Sequence, residues 1–116
     1  LDTSALSRDP AVVDAYVQDP LVSRKVSPRW FAALQAAMAR ANGGAASLQT
    51  PVLLMQSGAD RLVDPEATRR WAQAAPAGLC EFVWWDGLYH EMFNEPEREQ
   101  VLERAASWVE SRLACG

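Results

Sequence analysis

Two polar residues in this sequence have the types and positions needed for acid–base chemistry. Asp60 follows the apolar run in the stretch LLMQSGADRLVDP, and His90 follows the apolar run in WWDGLYHEMFNEP. His90 is the only histidine in the chain. A carboxylate that bonds one ring nitrogen of a histidine orients the ring, so that the other nitrogen can take a proton from a nucleophile. The two residues therefore indicate triad chemistry, provided that the fold brings them together.

Two short apolar runs precede these residues and predict β-strands. The first lies within residues 51–57 and the second within residues 80–85. Neither run alternates strictly, which is typical of parallel strands that are covered on both faces. A predicted helix separates the runs, so the three elements form a β-α-β unit. Because parallel strands end at the same edge of a sheet, we expect Asp60 and His90 to lie in neighbouring loops.

Capping residues followed by proline predict three helix starts. Asp9, Ser27 and Asp64 each offer a capping oxygen before a proline at the first helical position. A fourth helix is predicted to begin near Asn94, with Glu97 completing a capping box. The predicted buried stripe of this helix consists of Val101, Leu102, Ala105, Trp108, Val109 and Leu113.

The glycine-rich and alanine-rich stretch around residues 43–47 is the best internal boundary. Before it the chain is predicted to be helical without strands, and after it strands and helices alternate, which is the α/β pattern. We therefore predict a helical lid or cap segment over residues 1–46. Residues 47–116 are predicted to form a strand-helix-strand-helix part of an α/β core.

Composition and charge exclude several classes of protein. The chain has 116 residues, of which 49% are hydrophobic and 22% charged, as in ordinary globular proteins. A net charge of -4 without any basic run argues against nucleic acid as a partner. No apolar stretch approaches the roughly 18 residues of a membrane span, and nothing near residue 1 resembles a signal peptide. We therefore expect no transmembrane segment and favour a cytoplasmic location.

Other interpretations of the polar residues are weaker. An aspartate after a strand is often only a turn former, and a single histidine is more often structural than catalytic. The dipeptide His90-Glu91 begins like the zinc motif H-E-x-x-H, but position 94 is not histidine. Asp60 with Asp64 would give a thin ligand shell for a hard cation. We expect neither a metal nor an organic cofactor, and we interpret Glu91 and Glu95 as solvated or capping residues.

The stretches PVLLMQSGADRLVDP and WDGLYHEMFNEPEREQVL together resemble the C-terminal part of α/β-hydrolases of the monoacylglycerol lipase and lysophospholipase group. The upstream stretch LSRDPAVVDAYVQDPLVSRKVSPRWFAAL is similar to the lid region of that group. This resemblance extends over nearly all of the chain and implies a doubly wound, mostly parallel sheet with a helical lid. It also implies that Asp60 is the acid of a Ser-His-Asp triad and that His90 is its general base.

The sequence contains no G-x-S-x-G nucleophile elbow, which this fold uses to present its catalytic serine. The serines lie at positions 4, 7, 23, 27, 47, 57, 107 and 111, and none has this context. We therefore expect the chain to be the C-terminal part of a longer serine hydrolase. A missing N-terminal segment would be its partner and would supply the serine and most of the oxyanion hole. Strands that are apolar on both faces independently predict further strands beside them.

The resemblance implies a small lipid ester as the substrate, of the monoacylglycerol or lysophospholipid type. Leu62 and Val63 follow the acid and are candidate walls of the substrate site. Candidates for an acyl-chain pocket in the lid are Trp30, Phe31, Leu34 and Met38. Packing in the core is the alternative for both sets, and transient contact of the lid with a membrane surface is a further expectation.

Three alternatives to ester hydrolysis stay open. Another triad enzyme on this fold, such as a peptidase or an acyltransferase, would use the same residues. A non-catalytic α/β module that binds a partner through its lid helices would not use them. A redox or nucleotide-binding domain ranks low, because the sequence contains neither G-x-G-x-x-G nor C-x-x-C.

Overall fold

A computed structural model describes residues 2–23 and 25–114 of the chain. The helices and strands, in chain order, are α1 (Pro10–Gln18), α2 (Pro28–Gly43), β1 (Val52–Ser57), α3 (Pro65–Ala74), β2 (Cys80–Trp85) and α4 (Arg98–Leu113). Short 3-10 turns cover Thr3–Ala5, Ala45–Ser47 and Met92–Asn94. The predicted order of strand, helix, strand and helix after residue 46 is confirmed, whereas the division of the chain into a lid and a core stays a prediction.

Strands β1 and β2 are adjacent and parallel, and α3 connects them. Their register pairs Val52 with Cys80 at one end and Ser57 with Trp85 at the other. The predicted β-α-β unit is therefore confirmed. Because Ser57 and Trp85, the last residues of the two strands, are paired, both strands end at the same edge of the sheet. The loops that contain Asp60 and His90 leave from this edge.

The three predicted capping residues are confirmed. Asp9, Ser27 and Asp64 lie directly before α1, α2 and α3, and each side chain accepts a backbone N–H two or three residues further along. A proline occupies the first turn of each helix. These bonds satisfy backbone donors that a helix start leaves unpaired, which explains why each helix begins where it does.

The prediction that α4 begins near Asn94 is wrong. Asn94 ends a 3-10 turn, α4 begins at Arg98, and Glu97 precedes the helix without a side-chain capping bond. The reason is Pro96, because the residue before a proline is driven away from helical geometry. Glu95 accordingly has an extended backbone, with φ -76 and ψ 161. The chain therefore turns at Glu95 instead of continuing as a helix.

The predicted buried stripe of α4 is only partly buried. Val101 is fully buried, and Ala105 and Trp108 are half-buried. Exposed members of the stripe are Leu102, Val109 and Leu113. The prediction is wrong for these three residues, because the described chain offers α4 few elements to pack on. Among the described residues, the buried apolar side chains are Ala5, Leu6, Ala45, Leu88 and Val101.

The apolar face of α2 is exposed. Trp30 and Phe31 are 51% and 53% accessible, and Leu34 and Met38 are also exposed. The alternative interpretation, that this face packs in a core, therefore does not hold among the described residues. None of the helices in residues 2–23 and 25–114 combines the length and the apolar character needed to cross a membrane.

Gly58 allows the chain after β1 to pass close to an indole ring of β2. A Cβ atom at this position would lie 2.7 Å from Nε1 of Trp84 and 2.8 Å from its Cε2. Real Cβ atoms do not approach neighbours so closely. The lack of a side chain at Gly58 is therefore a packing requirement at the base of the Asp60 loop.

We expect Gly58→Ala to destabilise the full-length protein by about 1–3 kcal/mol, because the added methyl group must displace Trp84. The measurement is the free energy of unfolding in denaturant. Gly43→Ala is the matched control, since no atom lies within 4 Å of its Cβ position and the residue is helical. The control should be neutral or slightly stabilising. Equal stability of both variants would show that the ring of Trp84 moves freely.

Candidate active site

Backbone hydrogen bonds join the two loops that leave the sheet edge. The N–H of Gly58 donates to the carbonyl of Trp85 at 2.7 Å, and the N–H of Ala59 donates to the carbonyl of Leu88 at 3.0 Å. Gly87 makes the turn after β2 with φ +74, a conformation that favours glycine. These two bonds join the chain beyond the strand ends and bring the following residues of the two loops side by side.

Asp60 and His90 are in direct contact. Nδ1 of His90 lies 2.9 Å from Oδ2 of Asp60, although the two residues are 30 positions apart in the chain. The side chain of Asp60 is 3% exposed, whereas that of His90 is 37% exposed. The prediction that Asp60 and His90 lie close together in neighbouring loops is confirmed.

The carboxylate of Asp60 is fixed from both sides. Its second oxygen, Oδ1, accepts the backbone N–H groups of Leu62 at 2.8 Å and Val63 at 3.1 Å. These bonds compensate for the burial of the charged group, since a buried carboxylate needs partners. They also prevent rotation of the carboxylate, so Oδ2 stays directed at His90.

The contact determines which nitrogen of His90 is available for chemistry. A carboxylate only accepts hydrogen bonds, so a proton must sit on Nδ1 to bond Asp60. In the neutral ring, Nε2 is then unprotonated and can take a proton. When it does so, the adjacent carboxylate stabilises the positive charge. The contact thus has the geometry that acid–base chemistry needs, and the catalytic roles of the two residues stay a prediction.

His90 faces a groove of about 480 Å³. One wall is formed by Leu53, Leu54 and Met55 of β1, and the other by the segment 91–94. Because successive strand residues point to opposite faces, a groove lined by three of them in a row lies along the edge of β1 that does not pair with β2.

Leu62 and Val63 line a second cavity, of about 430 Å³, between α2 and α3. On the side of α2 this cavity is lined by Met38 and Asn42, and on the side of α3 by Trp71. Trp30, Phe31 and Leu34 do not line this cavity and are exposed on α2. The structure thus brings Met38, but not these three, to the cavity beside the acid loop, and the substrate-binding role of all of them stays a prediction.

Residues 2–8, which we call the strap, lie against both loops. The N–H groups of His90 and Glu91 donate to the carbonyls of Ala5 at 3.4 Å and Leu6 at 2.8 Å. Ala5 and Leu6 are 1% and 2% exposed. Residues 5–7 of the strap are therefore buried beside the residue that carries the imidazole.

The interpretation of Glu95 as a solvated or capping residue is wrong. Its side chain is fully buried and accepts three hydrogen bonds. The donors are the backbone N–H of Arg8 at 2.6 Å, Nε of Arg8 at 2.6 Å and the backbone N–H of Tyr89 at 3.1 Å. The sequence carries no local signal for this pairing beyond Pro96, which makes Glu95 extended.

Burial and hydrogen bonding have opposite effects on the pKa of Glu95. Burial raises the pKa of its carboxyl, but hydrogen bonds from the side chain and backbone of Arg8 and from the backbone of Tyr89 help to outweigh that effect. The net result is a pKa below the ordinary value for a glutamate. The same contact raises the pKa of Arg8, to which Glu97 also binds. Glu95 is therefore an ionised carboxylate inside the protein.

Comparison with known proteins gives the class of the fold. A monoacylglycerol lipase from Paleococcus ferrophilus superposes with a TM-score of 0.90 at 32% identity, covering 96% of this chain and 44% of that one. The chain therefore forms part of an α/β-hydrolase fold. The model of the family Hydrolase_4, described as serine aminopeptidase S33, matches residues 1–97, and the chain belongs to this family.

Two curated relatives have similar sequence identity to this chain. Phospholipase YtpA of Bacillus subtilis is 37% identical over 97% of this chain and 44% of its own length. A monoacylglycerol lipase of Mycolicibacterium smegmatis is 36% identical over 97% of this chain and 41% of its own length. The chain thus spans about two fifths of the relatives it matches. The resemblance to the monoacylglycerol lipase group is confirmed.

The lowered pKa of Glu95 predicts acid sensitivity. Because the folded-state value lies below the unfolded one, the unfolded chain binds more protons as the pH falls. The stabilisation is complete above the unfolded pKa and is lost as the pH falls through the folded one. We expect the free energy of unfolding to fall less steeply in Glu95→Gln than in the wild type, from about pH 6 to about pH 3.

The matched control for this titration is Glu103→Gln, since Glu103 is exposed on α4. Its curve should run parallel to that of the wild type. If Glu95→Gln also ran parallel to the wild type, the buried carboxylate would not be the source of acid sensitivity.

Proposed function

We propose that the chain supplies the acid and the base of a Ser-His-Asp triad in a serine hydrolase that cleaves carboxylic esters. The observation that carries the proposal is the contact between Nδ1 of His90 and the buried carboxylate of Asp60. The names of the relatives, phospholipase and monoacylglycerol lipase, support esters as the substrate class.

The proposed reaction has two half-reactions. A serine from outside this chain attacks the ester carbonyl while Nε2 of His90 takes its proton. The tetrahedral intermediate collapses, the imidazolium gives that proton to the departing alkoxide, and an acyl-enzyme is left. Water then attacks the acyl-enzyme with Nε2 again as base, and collapse returns the proton to the serine oxygen and releases the acid. Backbone N–H groups outside this chain would stabilise the oxyanion.

We infer that the serine reaches His90 from the side of the groove along β1. The groove is lined by apolar residues of β1 and by His90. The strand residues Leu53, Leu54 and Met55 are only half-buried in a two-stranded sheet. Parallel strands with apolar residues on both faces are normally covered, so a further part of the enzyme would pack here as the partner of this chain.

We infer a lipid ester with one acyl chain as the substrate, of the monoacylglycerol or lysophospholipid type. Leu62 and Val63 follow the acid and line an apolar cavity next to α2, which fits an acyl chain better than a polar group. The exposed face of α2, with Trp30, Phe31 and Leu34, would meet the lipid substrate or a membrane surface as a lid. No metal or organic cofactor takes part in this chemistry.

The description of the family as serine aminopeptidases favours peptide hydrolysis as a second candidate. The same triad would serve it, and the fold does not distinguish the two. A comparison of a monoacylglycerol with an amino-acid p-nitroanilide, at equal concentrations of the full-length enzyme, separates them. Turnover of the anilide alone would favour the peptidase. Transfer of the acyl group to an added alcohol would indicate an acyltransferase.

We expect His90→Ala to abolish nearly all ester turnover of the full-length enzyme. Asp60→Asn should lower kcat by about 10³–10⁴-fold, because the amide holds the imidazole in the wrong tautomer. The matched control is Asp9→Asn, since Asp9 caps α1 and asparagine caps equally well. The control should keep both its stability and its kcat. Wild-type turnover by either site variant would refute the role assigned to that residue.

A fluorophosphonate probe tests for the nucleophile. We expect it to label a serine of the full-length enzyme that lies outside the 116 residues, and we expect the labelling to disappear in His90→Ala. Mass mapping of the labelled peptide identifies the serine. Absence of labelling in a folded wild type would favour a non-catalytic binding module, in which the Asp60–His90 pair is inherited scaffold.

A further inference from the structure

We propose that Glu95 is a positioning residue for His90, and that it acts through Arg8 and the backbone of the histidine loop. This inference rests on the function proposed above. It goes beyond the triad, because Glu95 touches neither the imidazole nor Asp60 in the described contacts.

The first observation is the way in which the carboxylate of Glu95 is used. Oε2 accepts from both Nε of Arg8, at 2.6 Å, and the backbone N–H of Tyr89, at 3.1 Å. Oε1 accepts the backbone N–H of Arg8 at 2.6 Å. One buried group therefore fixes the strap and the residue immediately before His90 at the same time.

The second observation is that three successive backbone N–H groups around His90 are hydrogen-bonded. The backbone N–H groups of Tyr89, His90 and Glu91 all donate, the first to Glu95 and the next two to the strap. The bond from His90 is long, at 3.4 Å, while those on either side are shorter, at 3.1 and 2.8 Å. The position of the His90 backbone thus depends on its neighbours more than on its own bond.

The third observation is that the strap also holds the acid loop. Nη2 of Arg61, the residue after Asp60, donates to the carbonyl of Ser4 at 2.7 Å. The guanidinium of Arg61 also lies 4.8 Å from the ring centre of Tyr89. The strap therefore contacts the loops of both the acid and the base, and Glu95 is the buried charged group that holds its Arg8 end.

The chemistry of this site explains why a carboxylate is needed. All three groups directed at Glu95 are donors, and a carboxylate offers acceptors at both oxygens. The amide of glutamine would present an NH₂ group to at least one of these donors and would repel it. A displacement of the imidazole by about 1 Å is enough to lower the rate by about 100-fold.

The test uses the full-length enzyme and the variant Glu95→Gln. We expect kcat for a monoacylglycerol to fall by about 10- to 100-fold with KM little changed. The rate constant for fluorophosphonate labelling should fall by a similar factor. The ¹H NMR resonance of the proton between His90 and Asp60 should shift or broaden, which a loss of stability alone would not produce in folded protein.

The matched control is Glu81→Gln, which removes a glutamate–arginine pair on the surface, between Glu81 and Arg104. This variant should keep the wild-type kcat and the wild-type resonance. Arg8→Lys is the second variant, because its side chain is 35% exposed and the backbone bond to Glu95 is retained. It should show a smaller fall in kcat than Glu95→Gln and a smaller change of the resonance.

Wild-type kcat and an unchanged resonance in folded Glu95→Gln would overturn the inference. If that variant does not fold, the same result in Arg8→Lys would overturn it. Failure of the proposed function has a different signature, namely a wild type that is neither labelled nor active, or a His90→Ala variant with normal turnover. If the enzyme is active and depends on His90, but Glu95→Gln changes neither kcat nor the resonance, only the positioning role is refuted.

Discussion

The parallel pairing of β1 with β2 is the constraint on which the rest of the site depends. Its register ends with Ser57 opposite Trp85, and two further backbone bonds join the loops that follow. From there, Asp60 and His90 are each only a few residues away, so a separation of 30 positions in the chain becomes a distance of 2.9 Å. Gly58 is part of the same constraint, because the indole of Trp84 occupies the space where a side chain would be.

Features that depend on local chemistry could be predicted from the sequence. A capping oxygen followed by proline acts within two or three residues, and Asp9, Ser27 and Asp64 cap their helices as expected. The meeting of Asp60 and His90 needed one more step, the rule that strands joined by a crossover helix run parallel. Topology therefore predicted the contact, although it could not predict that the carboxylate would be buried and doubly bonded on its other oxygen.

Features that depend on distant partners could not be predicted. Glu95 and Arg8 are 87 positions apart, and no periodicity or motif links them. The letters from Asn94 to Glu97 fit a capping box, but Pro96 makes Glu95 extended, and its side chain enters the protein instead. The stripe of α4 shows the same limit, since periodicity states which residues share a face but not what covers that face.

The burial of Glu95 connects the formation of the site with the docking of the strap. An ionised carboxylate without partners is costly inside a protein, and two of its three donors belong to Arg8. The histidine loop can therefore close over Glu95 only when the strap is in place. Arg8 is followed directly by Asp9, the capping residue of α1, so the same contact fixes where the first helix of the predicted lid begins. If the first 46 residues act as the predicted lid, we expect it to move beyond Asp9, because motion of Arg8 would break its ion pairs with Glu95 and Glu97 and release the strap from the histidine loop.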